Sequence, residues 1–275
     1  GDPRHIYLDD YSTQEDWDKL TENLGLDKPY FQQYGMFLVD ALSGKFGDSI
    51  SEGRPSMEII LERIPATLQL GLAAFAFSIF VGIPLGILSA VKRGTFIDGV
   101  GKIVALIGQS APVFWLGLML MFFFAVKLSW LPPYGRQEAT SIILPAVSLG
   151  WYYAAANMRL LRSAMLNVLD SEYVKLARAK GVSTQTVIWK HSLRNALIPV
   201  LTFAGITLGS LVTGSLVVET VFAWPGLGQL AIKALVGNDY PLLQAVIIIF
   251  TLMYVVAALL VDVMYAYIDP RIRYA

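Results

Sequence analysis

Several polar or ionisable side chains lie within stretches of the sequence that are otherwise strongly apolar, and four of them are candidates for a functional role. They are Gln109, Ser110, Asn157 and Asp262. Amides, hydroxyls and carboxylates can line the path of a polar solute, and they can equally hydrogen-bond one helix to the next. Both uses stay open for the first three, although bonding between helices is the more common one.

Asp262 stands out because a carboxylate deep in an apolar run has to face protein or water. It lies about two helical turns before Asp269, roughly 10 Å along a helix. We expect a structural ion pair with a basic residue near the same membrane surface, either Arg159 or Arg162, rather than a role in solute binding.

Side chains for covalent, metal or nucleotide chemistry are scarce. The sequence has no cysteine and two histidines, His5 and His191, both outside the apolar runs, which argues against direct metal ligation within the membrane. An intramembrane protease is also disfavoured. It would need a serine–histidine pair, paired aspartates or a zinc-binding His-Glu-x-x-His motif at membrane depth, and the apolar runs contain no histidine and one deeply placed aspartate, Asp262. Neither Gly44-Lys45 nor Gly101-Lys102 continues into the Ser or Thr of a phosphate-binding loop. No cofactor is expected in this chain.

The composition is that of a membrane protein. Hydrophobic residues make up 55% of the 275 residues and charged residues 15%, with a mean hydropathy of +0.56. The formal net charge of zero hides a strong division of charge along the chain. A polytopic, all-helical protein is therefore predicted, with no nucleic-acid partner.

Five apolar segments are long enough to cross a bilayer, which takes about 20 helical residues. They are residues 68–91, 103–126, 142–161, 196–218 and 242–268. Prolines within them, such as Pro84 and Pro112, are expected to kink their helices locally. Residues 222–236 are too short and too rich in Gly and Pro to span, so we expect a turn followed by a short interfacial helix.

The basic residues set the orientation, since Lys and Arg accumulate in short cytoplasmic loops. They concentrate in the first and third connections between spans and after the last span: Lys92, Arg93, Lys102, Arg159, Arg162, Lys175, Arg178, Lys180, Lys190, Arg194, Arg271 and Arg273. The opposite connections carry few basic residues and several aromatic ones. This pattern places residues 1–65 outside and the C-terminus in the cytoplasm.

Residues 1–65 are acidic near their start and contain no long apolar run. Apolar residues recur at helical spacing from Trp17 and again from Tyr30, with Gly25 and Pro29 as stops. We expect a small extracytoplasmic helical segment. A largely unstructured linker is the alternative. Residues 66–275 would then form the transmembrane domain, with a cytoplasmic loop at 162–195.

The cytoplasmic loop carries apolar residues at helical spacing, namely Leu166, Leu169, Tyr173 and Leu176, beside basic ones. Asp170 or Ser171 can cap a helix that ends at Gly181, and Ser183 can cap a second short helix. The apolar side would pack against the spans or against another protein. A docking surface and a charged loop that only satisfies topology are both compatible with these residues.

The same loop resembles a known signature. The run Glu172-Tyr173-Val174-Lys175-Leu176-Ala177-Arg178-Ala179-Lys180-Gly181, followed by His191-Ser192-Leu193-Arg194-Asn195-Ala196-Leu197-Ile198-Pro199, closely resembles the cytoplasmic loop of ABC-importer permeases of the dipeptide, oligopeptide and nickel group. Similar matches extend along most of the chain, among them Arg63-Ile64-Pro65-Ala66-Thr67, Glu219-Thr220-Val221-Phe222 and Pro225-Gly226-Leu227-Gly228. Their order resembles the first of the two permease subunits in such systems.

The resemblance implies the transmembrane-domain fold of type I ABC importers, and usually one more span before the segment like Gly1-Asp2-Pro3. A native sixth, N-terminal span would then be missing from this chain. It also implies that the helix from Glu172 to Gly181 sits in a cleft of a separate ATPase. In that arrangement Glu172, Tyr173, Leu176, Ala177, Arg178, Ala179, Lys180 and Gly181 couple ATP hydrolysis to transport. At Gly181 we expect a sharp turn where a side chain would hinder the second helix.

The partners implied are a second homologous permease subunit, two ATPase subunits that bind ATP and Mg²⁺, and an extracytoplasmic binding protein. All would assemble at a bacterial inner membrane. Glu219 closes the fourth span on the outside, and it either pairs within the chain or contacts the binding protein. The pairs Gly82/Gly86 and Gly205/Gly209 allow helices to approach closely, within one subunit or between two.

Short peptides are the preferred cargo, and a nickel chelate, glutathione or another small solute is the alternative for the same machinery. A stand-alone channel or secondary transporter is a distant alternative. It would be expected to show internal repeats or several ionisable groups within the membrane, and the sequence has neither. The permease itself is expected to be non-catalytic.

Overall fold

The computed structural model describes residues 8, 13–23, 25–212 and 216–268, and all regular elements in these ranges are helical. The α-helices are α1 Gln14–Asn23, α2 Tyr30–Leu42, α3 Ser56–Val91, α4 Phe96–Ser110, α5 Val113–Leu120, α6 Ile143–Leu169, α7 Glu172–Ala179, α8 Leu193–Val212, α9 Leu216–Val221, α10 Leu227–Val236 and α11 Tyr240–Ile268. A π-helical stretch, Met121–Lys127, extends α5, and Thr184–Thr186 with the π-helical Val187–Ser192 leads into α8.

Four helical stretches within the described residues are long and apolar enough to cross a membrane: Ser56–Val91, Ala139–Leu169, Thr184–Leu211 and Tyr240–Val261. They confirm four of the five predicted spans. The short helix predicted within residues 222–236 is present as α10.

The remaining predicted span, 103–126, is not one straight helix. Helices α4 and α5 with its π-helical extension meet at an angle of 111°. Between them Ala111 is extended, with ψ at 130°, and Pro112 has ψ at 136°. Proline has no N–H to donate and its ring excludes the helical conformation in the preceding residue, so the helix stops there. The described chain therefore has up to five spans if this bent pair counts as one.

The described residues belong to two compact units, residues 1–64 with 230–249, and residues 65–229 with 250–275. Helices α1 and α2 confirm the helical prediction for the first unit. Gly25 follows α1 with a φ of +63°, and Pro29 immediately precedes α2.

Asp239 organises the first unit. Its carboxylate accepts hydrogen bonds from the Ser49 hydroxyl at 2.5 Å and from the Ser51 hydroxyl at 2.8 Å, and it accepts the Leu242 amide at the start of α11. Burial raises the pKa of Asp239, but the hydrogen bonds from the serines outweigh burial and hold that pKa below its ordinary value. The loop before α3 is thereby tied to the start of α11.

In the second unit α3 packs closely on α6. A Cβ atom on Gly82 would lie 2.6 Å from the Ala154 carbonyl oxygen, and one on Gly86 would lie 2.9 Å from that of Met158. Gly150 of α6 meets the Ala74 carbonyl in the same way. The Gly82/Gly86 pair therefore makes its contacts within this chain. The Gly205/Gly209 pair also has neighbours within the chain, since Gly205 lies against Val261 of α11.

Gly82→Ala should lower the stability of the chain by about 1–3 kcal/mol, because the added methyl group has no room against α6. The measurement is thermal unfolding of the purified chain in detergent, followed by tryptophan fluorescence. Gly99→Ala is the matched control, since Gly99 has nothing within 4 Å of a Cβ atom and alanine favours the helix. Equal melting temperatures for the two variants would contradict the assigned contact.

Candidate functional site

Helix α7 begins and ends as the sequence predicts. Ser171 stands at its N-cap with extended backbone, and Gly181 follows its last turn with a φ of +79°. The Ser171 hydroxyl donates to the Val168 carbonyl instead of capping α7. Ser183 does cap the next helical segment, because its hydroxyl accepts the Thr186 amide.

Gly181 is required for a reason other than the one predicted. A Cβ atom on Gly181 would meet nothing within 4 Å, so crowding by the second helix is not the constraint. The constraint is the positive φ, a conformation that side-chain-bearing residues adopt at a cost.

The second helix of the loop is not a separate short helix. Thr184–Thr186 continues through the π-helical Val187–Ser192 into α8, so the helical stretch that starts at Ser183 runs on to Val212. Consequently, a turn of only a few residues joins α7 to a helix of membrane-crossing length.

A side-chain bridge also links α7 to this long helix. The Asn195 amide donates to the Tyr173 hydroxyl at 2.8 Å and to the His191 carbonyl at 3.2 Å. The Tyr173 hydroxyl lies 3.4 Å from the same carbonyl oxygen. Tyr173 was a predicted site residue, whereas Asn195 lay in the matching motif without an assigned role.

The apolar residues of the loop divide between packing and exposure. Leu166 and Leu169 belong to the end of α6 and pack on the cluster around Leu161 and Met165, so they lie on a different helix from Tyr173 and Leu176. Within α7, Val174 is fully buried. Tyr173 and Leu176 remain 44% and 56% exposed.

The charged residues of α7 face solvent. Lys175 and Glu172 form an ion pair at 2.8 Å in which both side chains are more than half exposed, and such pairs contribute little stability. Arg178, Ala179 and Lys180 are exposed and Ala177 is half-buried. Seven of the eight predicted coupling residues are thus exposed, and Ala177 is the half-buried exception.

An ion cluster ties together the ends of α3, α4 and α6. The Arg162 guanidinium donates to both oxygens of the Asp98 carboxylate, at 2.7 and 2.9 Å. Lys102 lies 2.9 Å from the same carboxylate, and the Ser89 hydroxyl donates to it at 2.6 Å. Arg162 therefore pairs with Asp98, a partner that the sequence analysis did not name.

The predicted intramembrane polar residues have different surroundings. Gln109 accepts a hydrogen bond from the Arg159 guanidinium. Ser110 is exposed at the end of α4, beside the break. Asn157 is fully buried, and neither polar atom of its side chain has a hydrogen-bond partner among the described residues. The side chain of Asp262 lies outside the described part of the chain, so its pairing with Arg159 or Arg162 stays a prediction.

Glu219 is fully buried and has partners within the chain. Its carboxylate accepts the Thr67 hydroxyl at 3.0 Å, the Gly228 amide at 2.7 Å and the Gln229 amide at 3.2 Å. Burial raises the pKa of Glu219, and these hydrogen bonds act in the opposite direction. Glu219 therefore pairs within the chain, which is one of the two alternatives that the sequence left open for it.

Thr67 completes this buried network. Its hydroxyl accepts the Leu227 amide at 2.8 Å while donating to Glu219, and the neighbouring Ala66 carbonyl accepts the Trp224 indole N–H. The network holds α3, α9 and the start of α10 together. It gives a structural reason for the residues around Thr67, Glu219 and Gly228 that matched the family pattern.

Sequence reasoning missed Asp98, Ser89 and Thr67 as organising residues. The available signal was Asp98, an acidic residue four positions before Lys102 in an otherwise basic connection. Among the described residues, no group of three or more His, Cys, Asp or Glu side chains is placed to hold a metal ion.

Residues 82–274 match the family model described as "Binding-protein-dependent transport system inner membrane component". Two curated relatives align over the whole chain. The dipeptide transport system permease protein DppB of Alkalihalophilus pseudofirmus is 37% identical, with 91% of its length covered. The glutathione transport system permease protein GsiC of Pectobacterium atrosepticum is 41% identical, with 90% covered.

Solved structures share the fold. The MetNI methionine ABC transporter in an inward-facing conformation superposes with a TM-score of 0.64 at 20% identity, over 78% of this chain and 97% of that one. An amino acid ABC transporter gives a TM-score of 0.59 at 14% identity, over 76% and 94%.

Thr67→Val should destabilise the chain by about 1–3 kcal/mol, because it leaves the buried Leu227 amide without an acceptor. The shape of the side chain is retained, so thermal unfolding reports the lost hydroxyl. Thr220→Val is the control, since the exposed Thr220 hydroxyl only donates to the Leu216 carbonyl of its own helix. A melting temperature unchanged by Thr67→Val would show that this network contributes nothing to stability.

Proposed function

Because the chain belongs to the family of binding-protein-dependent transport system inner membrane components, we propose that it forms half of the translocation pathway of an ATP-driven importer for short peptides. Its partners would be a second, related permease subunit, two ATPase subunits and an extracytoplasmic binding protein. Residues 1–65 face the outside and the C-terminus the cytoplasm, which the distribution of Lys and Arg supports.

The observation that carries this proposal is the arrangement of α7. One residue, Val174, anchors the helix in the chain, while Tyr173 and Leu176 present apolar surface outward. Exposed apolar groups among charged ones are typical of a surface that another protein covers. We assign this surface to an ATPase subunit.

Two connections would carry movement of α7 into the membrane. The first is the turn at Gly181, and the second is the bridge from Tyr173 to Asn195. Both lead into the continuous helical stretch that ends with α8. A displacement of α7 by the ATPase therefore shifts a membrane-crossing helix directly, without a flexible linker between them.

Two relatives support the cargo class. One is named for dipeptides and one for glutathione, which is itself a small peptide. Glutathione is the second candidate, because that relative is 41% identical over the whole chain. Uptake of labelled dipeptides and of glutathione into proteoliposomes that contain the whole complex decides between them.

Leu176→Asp should abolish co-purification of the ATPase subunits with the tagged chain, because a charge replaces the exposed apolar contact on α7. Detergent extraction followed by mass spectrometry of the eluted complex is the measurement. Asn167→Asp, an exposed position at the end of α6, adds the same charge nearby and should leave the complex intact. If the wild-type chain itself elutes without ATPase subunits, the proposed function is wrong.

Gly181→Val should reduce ATP hydrolysis stimulated by cargo and binding protein several-fold, because the valine disfavours the positive φ and shifts α7. Assembly with the ATPase should persist. Gly94→Val is the matched control. Gly94 also has a positive φ, +76°, and nothing within 4 Å of a Cβ atom, but it lies in the connection between α3 and α4. Equal loss of stimulation in both variants would mean that general strain, not the position of α7, is responsible.

A further inference from the structure

A cavity of about 710 Å³ opens between α4, α6 and α8. Apolar side chains such as Leu106 and Phe203 form part of its wall, and Lys102, Gln109, Arg159 and Arg162 supply the polar part. This volume lies within the range of about 300–1,000 Å³ that is usual for small-molecule sites.

The cavity carries excess positive charge. Among the residues that the structure describes, its lining contains three basic side chains, Lys102, Arg159 and Arg162, and no acidic one. Behind the wall Asp98 pairs with both Arg162 and Lys102, so one carboxylate faces two cations. Arg159 interacts with the neutral amide of Gln109 instead. The described charged groups in and around the cavity therefore sum to about two positive units, which favours an anionic occupant. The Asp262 carboxylate, whose side chain lies outside the described residues, is not part of this sum.

Arg159 is the residue best placed to meet such an occupant. Its side chain is exposed to the cavity, and its contact with the Gln109 oxygen fixes one edge of the guanidinium. A guanidinium has donors on two edges and can bind a carboxylate through paired hydrogen bonds. Arg162 is already paired with Asp98, so we assign it to stabilising the cavity wall and not to binding the occupant.

We propose that this cavity binds the carboxylate end of the transported solute, with Arg159 as the residue that recognises it. The apolar wall accepts the side chain next to that carboxylate, so the preferred ligand is an amphipathic acid such as a peptide with an apolar C-terminal residue. This assignment rests on the proposed import function and adds a specificity-determining residue to it.

The test uses the assembled complex without nucleotide or binding protein, in nanodiscs. The probes are radiolabelled Ala-Phe and its C-terminal amide. Wild-type complex should bind the acid about tenfold more tightly than the amide, the usual effect of a hydrogen bond to a charged group. Arg159→Gln should remove that difference by weakening acid binding alone, and Arg159→Lys should restore part of it.

Lys92→Gln is the control, because it removes an exposed positive charge on the same side of the membrane but outside the cavity. It should leave the acid preference unchanged. Equal weakening of acid and amide by Arg159→Gln, or no binding of Ala-Phe to the wild type, would overturn the assignment of the cavity.

A phospholipid headgroup carries the same anionic chemistry, so the binding is repeated with phosphatidylcholine alone and with phosphatidylglycerol added. The acid preference should be the same in both. If phosphatidylglycerol blocks Ala-Phe and Arg159→Gln relieves the block, the cavity is a lipid site and the solute assignment fails. ATP-dependent uptake by wild-type proteoliposomes tests the proposed function separately, since it does not depend on the acid–amide comparison.

Discussion

The close approach of α3 and α6 is the constraint on which the second unit depends. Gly82 and Gly86 bring the backbone of α3 against carbonyl oxygens of α6, and Gly150 does the same from the other side. Without a hydrophobic drive between helices in lipid, such backbone contact is a main source of packing energy. It also fixes the distance between the polar groups that the two helices carry.

Two polar networks, one towards each end of α3, depend on this close spacing of the helices. Near one end Thr67 and Glu219 tie α3 to α9 and the start of α10, with every donor in the network paired to an acceptor. Near the other end Ser89 and Asp98 meet Arg162 of α6. Buried carboxylates are stable only when donors surround them, so both networks require the helix positions to be set accurately.

The proposed coupling surface depends on a different kind of contact. Helix α7 is short, and one fully buried residue and the Tyr173–Asn195 bridge hold it against the chain. A lightly anchored helix joined to a long one is suited to receive a displacement from outside. The cavity beside Arg159 lies between helices of the same unit, including α8, to which the turn at Gly181 leads.

The sequence by itself determined the membrane class, four of the spans, the cap at Ser183, the turn at Gly181 and the family, because apolar length, a capping hydroxyl and a glycine act locally. Only the tertiary structure decided that Arg162 meets Asp98, Glu219 meets Thr67 and Asn195 meets Tyr173, since these partners lie 64, 152 and 22 positions apart along the chain. The break at Pro112 shows both contributions. Proline predicts a local kink, but the observed 111° depends on how the two helices pack after the break. Hydrophobic periodicity reports which residues leave water, whereas side-chain pairing depends on helix placement that no local pattern encodes.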